Sequence, residues 1–225
     1  GTFRVVKADS DETVLERKAE VLPGASWGRF PWHAELDFSA LRRPGRFRLA
    51  VGDCRSLPFS IGEGVFQPLP DTLLEFMRQQ RCGYNPWLDA ECHPHDGRTA
   101  YGPEPGGTYV DARGGWHDAA DLLKYLLTSS NATAQLLLAW QLQREMAAKD
   151  ATSPAGVRLA DRIDARGKPF PNGTPDLLDE AQWGIEWMLR LHPAPDQLYH
   201  QVADDRDHIG WRLPQHEVAD YGWGK

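Results

Sequence analysis

The chain has 225 residues, enough for one large domain or two smaller ones. Its 32 Asp and Glu against 25 Lys and Arg give a formal net charge of −7 with no basic stripe, which argues against a nucleic-acid partner. Its apolar runs, such as Ala134 to Trp140 around Leu136, Leu137 and Leu138, fall far short of the roughly 20 residues a membrane-spanning helix needs. Three cysteines are too few for a disulfide scaffold, and an odd count leaves at least one thiol unpaired.

Residues 1–64 read as β structure. Trp32, Ala34, Leu36 and Phe38 alternate with polar neighbours, as do Phe47, Leu49 and Val51, so each run predicts a strand with one buried face. Turn chemistry separates these runs at Pro23-Gly24, Arg43-Pro44-Gly45 and Gly52-Asp53. Several short strands at this spacing predict a small, Ig-like β-sandwich. From residue 65 onward an all-α domain is expected. Asp71 is placed to cap a helix carrying Leu73, Leu74 and Met77 on one face. A loop-rich stretch follows from Gly83 to Gly115, and helices are predicted to start near Trp116 and near Asn131, the latter presenting Ala134, Leu137, Leu138 and Leu142. Thr174-Pro175-Asp176 reads as an N-cap, an N1 proline and a first-turn acid, with Leu178, Ala181, Ile185, Met188 and Leu189 as the apolar face. The stretch from His192 onward is mostly irregular.

The most informative segment is Gly114-Gly115-Trp116-His117-Asp118-Ala119-Ala120-Asp121. On a helix, carboxylates three residues apart share one face with Cβ atoms roughly 5–6 Å apart. Near a helix N-terminus such a pair stays ionised and can hold a water and take its proton. The plainer alternative makes Asp118 a cap and Asp121 a solvated first-turn acid. Here the chain resembles the glycoside hydrolase family 9 cellulases, in the subgroup with an Ig-like domain before the catalytic domain. Gly114 to Asp121 match that family's Gly-Gly-Trp-(His/Tyr)-Asp-Ala-Gly-Asp signature except for Ala120 in place of glycine. Asp37-Phe38-Ser39, Ser56 to Ile61, Gln80-Arg81-Cys82-Gly83, Cys92-His93, Pro175 to Glu180 and Tyr199-His200-Gln201-Val202 resemble further family landmarks in the same order. The resemblance implies that residues 65–225 form the N-terminal portion of an (α/α)₆ barrel that hydrolyses β-1,4-glucans with inversion. It also implies that Asp121 is the general base and Asp118 the partner that holds the attacking water.

Cys82, Cys92, His93 and His117 have the spacing Cys-x₉-Cys-His-x₂₃-His, and two thiolates with two imidazoles suit a tetrahedral zinc ion with no open position. From spacing alone a Cys82–Cys92 disulfide or merely buried thiols remain open, with His95 and Asp96 as spare ligands. The resemblance favours structural zinc, since Ig-bearing members of the family bind it with matching residues. Ligation at His117 would then pin the segment carrying Asp118. Cys54 reads as a small buried residue of the β domain.

Other features carry less. Asn131-Ala132-Thr133 and Asn172-Gly173-Thr174 fit the glycosylation pattern, with helix capping as the plainer reading. Asn172, Asp176 and Asp179 are candidate calcium ligands, as the resemblance suggests. Nine tryptophans are many for this length and serve either as core or as platforms for sugar rings. Tyr199, His200 and Trp211, with Tyr221 and Trp223, are candidates to line a sugar cleft, core packing being the alternative. An inverting glycosidase needs a general acid about 6.5–9.5 Å from its base, so Asp118 and Asp121 are too close together to fill both roles. The resemblance implies a glutamate in an Asn-Glu segment, and the chain has no such dipeptide. The expectation is therefore a portion completed by the C-terminal remainder of the catalytic domain, in cis or as a second chain. Endo action on a β-glucan polysaccharide or oligosaccharide is expected. The alternatives are an exo-acting relative (cellobiohydrolase, β-glucosidase or exo-glucosaminidase) and a truncated, non-catalytic carbohydrate-binding protein. A zinc-dependent hydrolase would need an open metal position. Substrate size places the protein outside the cytoplasm, secreted or periplasmic.

Overall fold

The computed structural model describes residues 1–22, 24, 28–94, 97–100, 102–119, 122–149, 160–203 and 213–216, without the side chains of 147 and 214. By compactness it divides into Gly1–Leu69 and Pro70–Lys225.

The first unit is built on a five-stranded antiparallel sheet of β1 (Thr2–Lys7), β2 (Thr13–Lys18), β5 (Gly45–Val51), β6 (Cys54–Arg55) and β7 (Phe59–Ile61). Its order is β2-β1-β5-β6, with β7 also paired to β5. A separate ribbon joins β3 (Glu20–Leu22) to β4 (His33–Glu35). The Gly52-Asp53 turn predicted from sequence is a two-residue hairpin loop between Val51 and Cys54. Gly52 has φ 54°, which the primed turns of such hairpins demand. Val5 pairs with Leu49 and Lys7 with Phe47, so Phe3, Val5 and Phe47 share one face. They form the buried centre, against which Leu36, Phe38, Leu41 and Phe59 pack. The Phe38 and Phe59 rings lie 5.2 Å apart.

Among the described residues the strands make one sheet and one ribbon, and the segment Leu36–Leu41 after the ribbon helps cover the apolar face. Two expectations change here. The alternating run at Trp32–Phe38 yields only three strand residues, with Trp32 exposed. Cys54 is exposed on β6, not buried, because β6 follows the tight turn at the sheet edge.

The second unit is not all-α. Helix α1 (Leu69–Gln79) leads into a hairpin of β8 (Gly83–Asn85) and β9 (Ala90–Cys92), and β10 (Lys124–Tyr125) pairs with the distant β11 (Gln201–Val202). Between them lie α2 (Leu126–Lys149) and α3 (Asp176–Arg190). Helix α1 starts two residues before Asp71, which becomes a first-turn acid paired at 2.5 Å with Arg162 and not a cap. Leu74 is buried, whereas Leu73 is exposed. No helix starts near Trp116, and Asn131 lies inside α2, so it caps nothing. At α3 the cap position falls on Pro175 instead of Thr174. Its buried face is Asp176, Asp179, Glu180, Ala181, Gly184 and Trp187, while Ile185 and Leu189 of the predicted apolar face are exposed. Buried ion pairs and one tryptophan, which hydropathy periodicity does not register, set the orientation of this helix.

Helices α2 and α3 pack against one another. A Cβ at Gly184 would collide with Thr133 Oγ1 and the six-membered ring of Trp116. In an exposed helix, Gly→Ala gains up to about 1 kcal/mol; here overpacking reverses the sign, and Gly184→Ala should destabilise by about 1–3 kcal/mol. Urea unfolding would show a lower midpoint, and a raised midpoint would mean that the contact is loose.

Candidate metal centre and carboxylate loop

Three backbone segments deliver the four candidate ligands. Register in the β8–β9 hairpin pairs Gly83 with Cys92, so Cys82 and His93 flank its open end. His93 has φ 51°, a left-handed conformation that turns the chain out of the hairpin. The third segment is locked by an antiparallel bridge between Arg81 and Trp116: the Cys82 N–H donates to Gly115 O at 3.0 Å and the His117 N–H to Gln80 O at 2.8 Å. Gly115 has φ 68°, and a Cβ there would lie 2.6 Å from the Trp187 ring, so only glycine lets this strand approach α3.

The ligand atoms of Cys82, Cys92, His93 and His117 lie within 4.8 Å of one another, and all four residues are buried. His93 Nδ1 stands 2.9 Å from Cys92 Sγ, 3.7 Å from Cys82 Sγ and 3.2 Å from His117 Nε2, and Cys92 Sγ is 3.4 Å from His117 Nε2. A tetrahedral zinc with its usual bond lengths sets its ligand atoms about 3.3–3.8 Å apart, and three of these four separations lie at or near that range. Both cysteines are free, which removes the disulfide alternative. The Cys82 thiol is held well below its ordinary pKa, first by its hydrogen bond with Cys92 and then by the Lys124 ammonium, against the opposing effect of burial. Thiolate is the form that ligates metal. Lys124, fully buried, donates to Cys82 Sγ at 3.1 Å, Ala112 O at 2.5 Å and Gly114 O at 3.2 Å. The residues present therefore fit a closed, four-ligand metal site.

The chain runs directly from His117 into Asp118, which is exposed. Among the described residues no helix carries the expected carboxylate pair: the Asp118 N–H donates to Leu123 O at 2.7 Å, and Leu122 has φ 69°. A glycine-rich approach and a left-handed exit do not continue into a helix, which begins only at Leu126. Asp121 lies outside the described residues, as do Ala120, His95, Asp96, Trp211, Tyr221 and Trp223.

Of the expected cleft residues, Tyr199 and His200 are described. The Leu126 N–H donates to His200 O at 2.9 Å and Lys124 pairs with Val202, so residues 199–202 run beside the exit of the carboxylate loop. His200 is exposed. Tyr199 packs against the buried cluster of Ala112, Trp187 and Leu191 and donates its hydroxyl to Glu104 at 3.0 Å. Burial and then Glu104 raise the pKa of that phenol. The calcium candidates have protein partners of their own, although Asp176 Oδ2 is buried with no hydrogen bond. Asn172 donates to both Asp179 oxygens at 3.1 and 3.2 Å, and Asp176 accepts from the Arg162 and Ile163 N–H groups at 2.8 and 3.2 Å.

Beneath this loop lies a buried ionic cluster that sequence reading missed. Arg81 donates to both oxygens of Glu180 at 3.1 and 2.9 Å, and Trp116 Nε1 donates to the same carboxylate at 2.8 Å. Arg81 and Glu180 are wholly buried, and Arg78 Nε stands 3.5 Å from Glu180. The Arg81 guanidinium stacks 4.4 Å from the Trp183 ring, whose Nε1 donates to Gly115 O at 3.0 Å. These residues sit inside the quoted motifs, yet nothing local tells that positions 99 apart in sequence are paired.

Residues 66–221 match the family model described as glycosyl hydrolase family 9. The chain belongs to that family. It is 29% identical over 214 residues to the xyloglucan-specific endo-beta-1,4-glucanase BoGH9A of Bacteroides ovatus, covering 89% of this chain and 34% of that protein. A metagenome-derived family 9 endoglucanase superposes with a TM-score of 0.64 at 31% identity, over 89% of this chain and 36% of the other. A Zn-binding triple mutant of the family 9 endoglucanase J30 superposes at 0.63 with 29% identity, over 90% and 38%. The chain thus spans about a third or less of the length of the curated relatives it matches.

Within this family 9 chain the Arg81–Glu180–Trp116 cluster couples α3 to the bridge that presents His117. Glu180→Ala would leave Arg81 buried without its carboxylate, at a cost of about 3–5 kcal/mol. Thermal unfolding should show a large drop in midpoint, and a loss below about 1 kcal/mol would mean that water replaces the carboxylate.

Proposed function

We propose that the protein acts as an endo-type β-1,4-glucanase that hydrolyses its substrate with inversion, Asp121 serving as general base and Asp118 helping to hold the attacking water. The observation that supports this reading is the position of the described part of the signature, residues 114–119. Its first half is fixed by the Arg81–Trp116 bridge and by His117 in the metal cluster, and Asp118 then emerges exposed. A water held between two carboxylates would lose its proton to Asp121 as it attacks the anomeric carbon. Separation of the departing sugar needs a proton from an acid on the other side of the bond. That acid is assigned to a C-terminal remainder of the catalytic domain, as this chain covers 34% of the xyloglucan-specific relative. Family membership and the endoglucanase relatives support a β-glucan substrate, and a polymer of that size supports a secreted or periplasmic location.

The same reading takes residues 1–64 as an Ig-like module and 65–225 as part of an (α/α)₆ barrel. It takes the metal as zinc, held by Cys82, Cys92, His93 and His117. A closed Cys₂His₂ set leaves no position for substrate, so the metal's part is structural. It ties the hairpin at Cys92 to the residue before Asp118. Nothing favours a zinc-dependent hydrolase.

In the protein with its full catalytic domain, Asp121→Asn should lower kcat by about 10²–10⁴-fold while glycan affinity stays nearly intact. Steady-state hydrolysis of a soluble β-glucan, paired with affinity electrophoresis, checks both. Undiminished turnover would remove Asp121 from the reaction.

Metal analysis of the purified protein should return one zinc per chain. Stripping it should lower the melting midpoint by about 10 °C, on a linkage of about 4 kcal/mol and 2–4 °C per kcal/mol. Cys92→Ser should remove the response to chelator. A metal-free protein with an unchanged midpoint in zinc would refute the assignment.

A further inference from the structure

The Gly1–Leu69 unit differs in charge from the rest, with 10 Lys and Arg against 9 Asp and Glu in a chain whose net charge is −7. Much of that positive charge gathers at one place. Lys7, Arg43, Arg46 and Arg48 line a cavity of about 530 Å³, together with Pro44, Pro58 and a single acid, Asp9. We propose that this cavity is a binding site for an oxyanion, a carboxylate or phosphate group carried by a small ligand.

Strand pairing builds the site. In β5 the residues alternate faces, so while Phe47 points to the core with Val5 and Leu49, Arg46 and Arg48 project from the opposite face. The Ala8 N–H donates to Arg46 O at 2.9 Å, which brings the end of β1 against the start of β5. Lys7 pairs with Phe47, so its side chain leaves the sheet on the face opposite Arg46 and Arg48, at the margin of the site. Arg43 arrives from the Arg43-Pro44-Gly45 turn that precedes β5.

The cations are poorly matched from within. Lys7 is engaged by Glu12 at 2.5 Å. Among the described residues Arg43, Arg46 and Arg48 make neither an ion pair nor a side-chain hydrogen bond, although Asp9 shares their cavity. Arg48 Nε is moreover buried with no hydrogen-bond partner. A buried donor left without an acceptor is costly, and like charges placed together repel. An entering oxyanion answers both, since a guanidinium fork matches two oxygens of a carboxylate or phosphate. Neutral glucan offers no such group, so this site is independent of the carboxylate loop and of the reaction assigned to it.

Isothermal titration of the purified protein at low salt with glucuronic acid, inorganic phosphate and glucose tests this. We expect saturable binding of at least one of the two anions, no binding of glucose, and an affinity that falls as salt rises. The anion that binds more tightly identifies the source of the oxyanion. Arg43 and Arg46 are exposed, so the Arg43→Ala/Arg46→Ala pair should keep the melting midpoint while weakening binding by about tenfold or more, as expected for loss of charge-assisted hydrogen bonds. Arg48→Lys, which keeps the charge but not the fork, should weaken it less than Arg48→Gln. Binding of neither anion, or binding that survives the double substitution unchanged, overturns the proposal.

Discussion

The second unit of this chain depends on one buried carboxylate. Glu180 accepts hydrogen bonds from Arg81 and Trp116, with Arg78 close by. These groups belong to the end of α1, the strand entering the carboxylate loop and the first turns of α3. Moving two full charges out of water is costly, and their attraction repays it only with good geometry and with the remaining hydrogen-bonding capacity filled. Here the fork of Arg81 takes both oxygens, and its Nη1 donates to Ala165 O at 3.1 Å. The indole of Trp116 fills a further lone pair. Asp176 lies 3.9 Å from Arg78, so two cations face two anions in this part of the interior. A hydrophobic interior could be as stable, but it would tolerate sliding. A set of fixed donors and acceptors does not, and register between Arg81 and Trp116 is what this region has to preserve.

That register places the metal ligands. Cys82 follows Arg81 directly and His117 follows Trp116 directly, so the bridge between Arg81 and Trp116 brings those two ligands into reach. Glu180 on one side and the Cys-His cluster on the other therefore clamp the same short stretch of backbone. Lys124 belongs to the same arrangement, because its ammonium reaches Cys82 Sγ as well as the carbonyls of Ala112 and Gly114. It stabilises thiolate charge and satisfies buried acceptors at once, and the same ammonium stands 5.5 Å from the centre of the Trp187 ring. Gly115 allows all of this, since any side chain there would push the bridge away from α3.

What was legible in the sequence divides along physical lines. The four metal-ligand candidates could be read because few residue types bind such an ion, and their chemistry survives ignorance of the fold. The Gly52-Asp53 turn could be read because its backbone demand is local. The apolar face of α3 could not, since its burial is decided by Glu180, Asp176 and Trp187, whose partners lie far away in sequence. Hydrophobic periodicity assumes that carbon is what goes inside, and here charge goes inside. The start of a helix at Trp116 failed for a related reason. Two aspartates three apart look like a first turn, but the backbone hydrogen bonds of residues 114–118 are taken by Gln80 and Cys82 on a neighbouring segment and by Leu123 ahead.

Losing the helix alters how the loop must do its work. A helix would supply aligned N–H groups and a rigid axis to hold paired carboxylates. A loop supplies neither by itself, so its stiffness must come from its ends. At the entrance those are His117, held by its backbone bond to Gln80 and by the metal cluster, and at the exit Lys124 and Tyr125, paired with β11. Between them the bond from the Asp118 N–H to Leu123 O narrows the loop to a few residues. Asp118 stands in solvent at the anchored entrance of this loop. The proposed proton acceptor would need both access to water and a fixed distance to it, and a carboxylate buried like Glu180 could meet only the second.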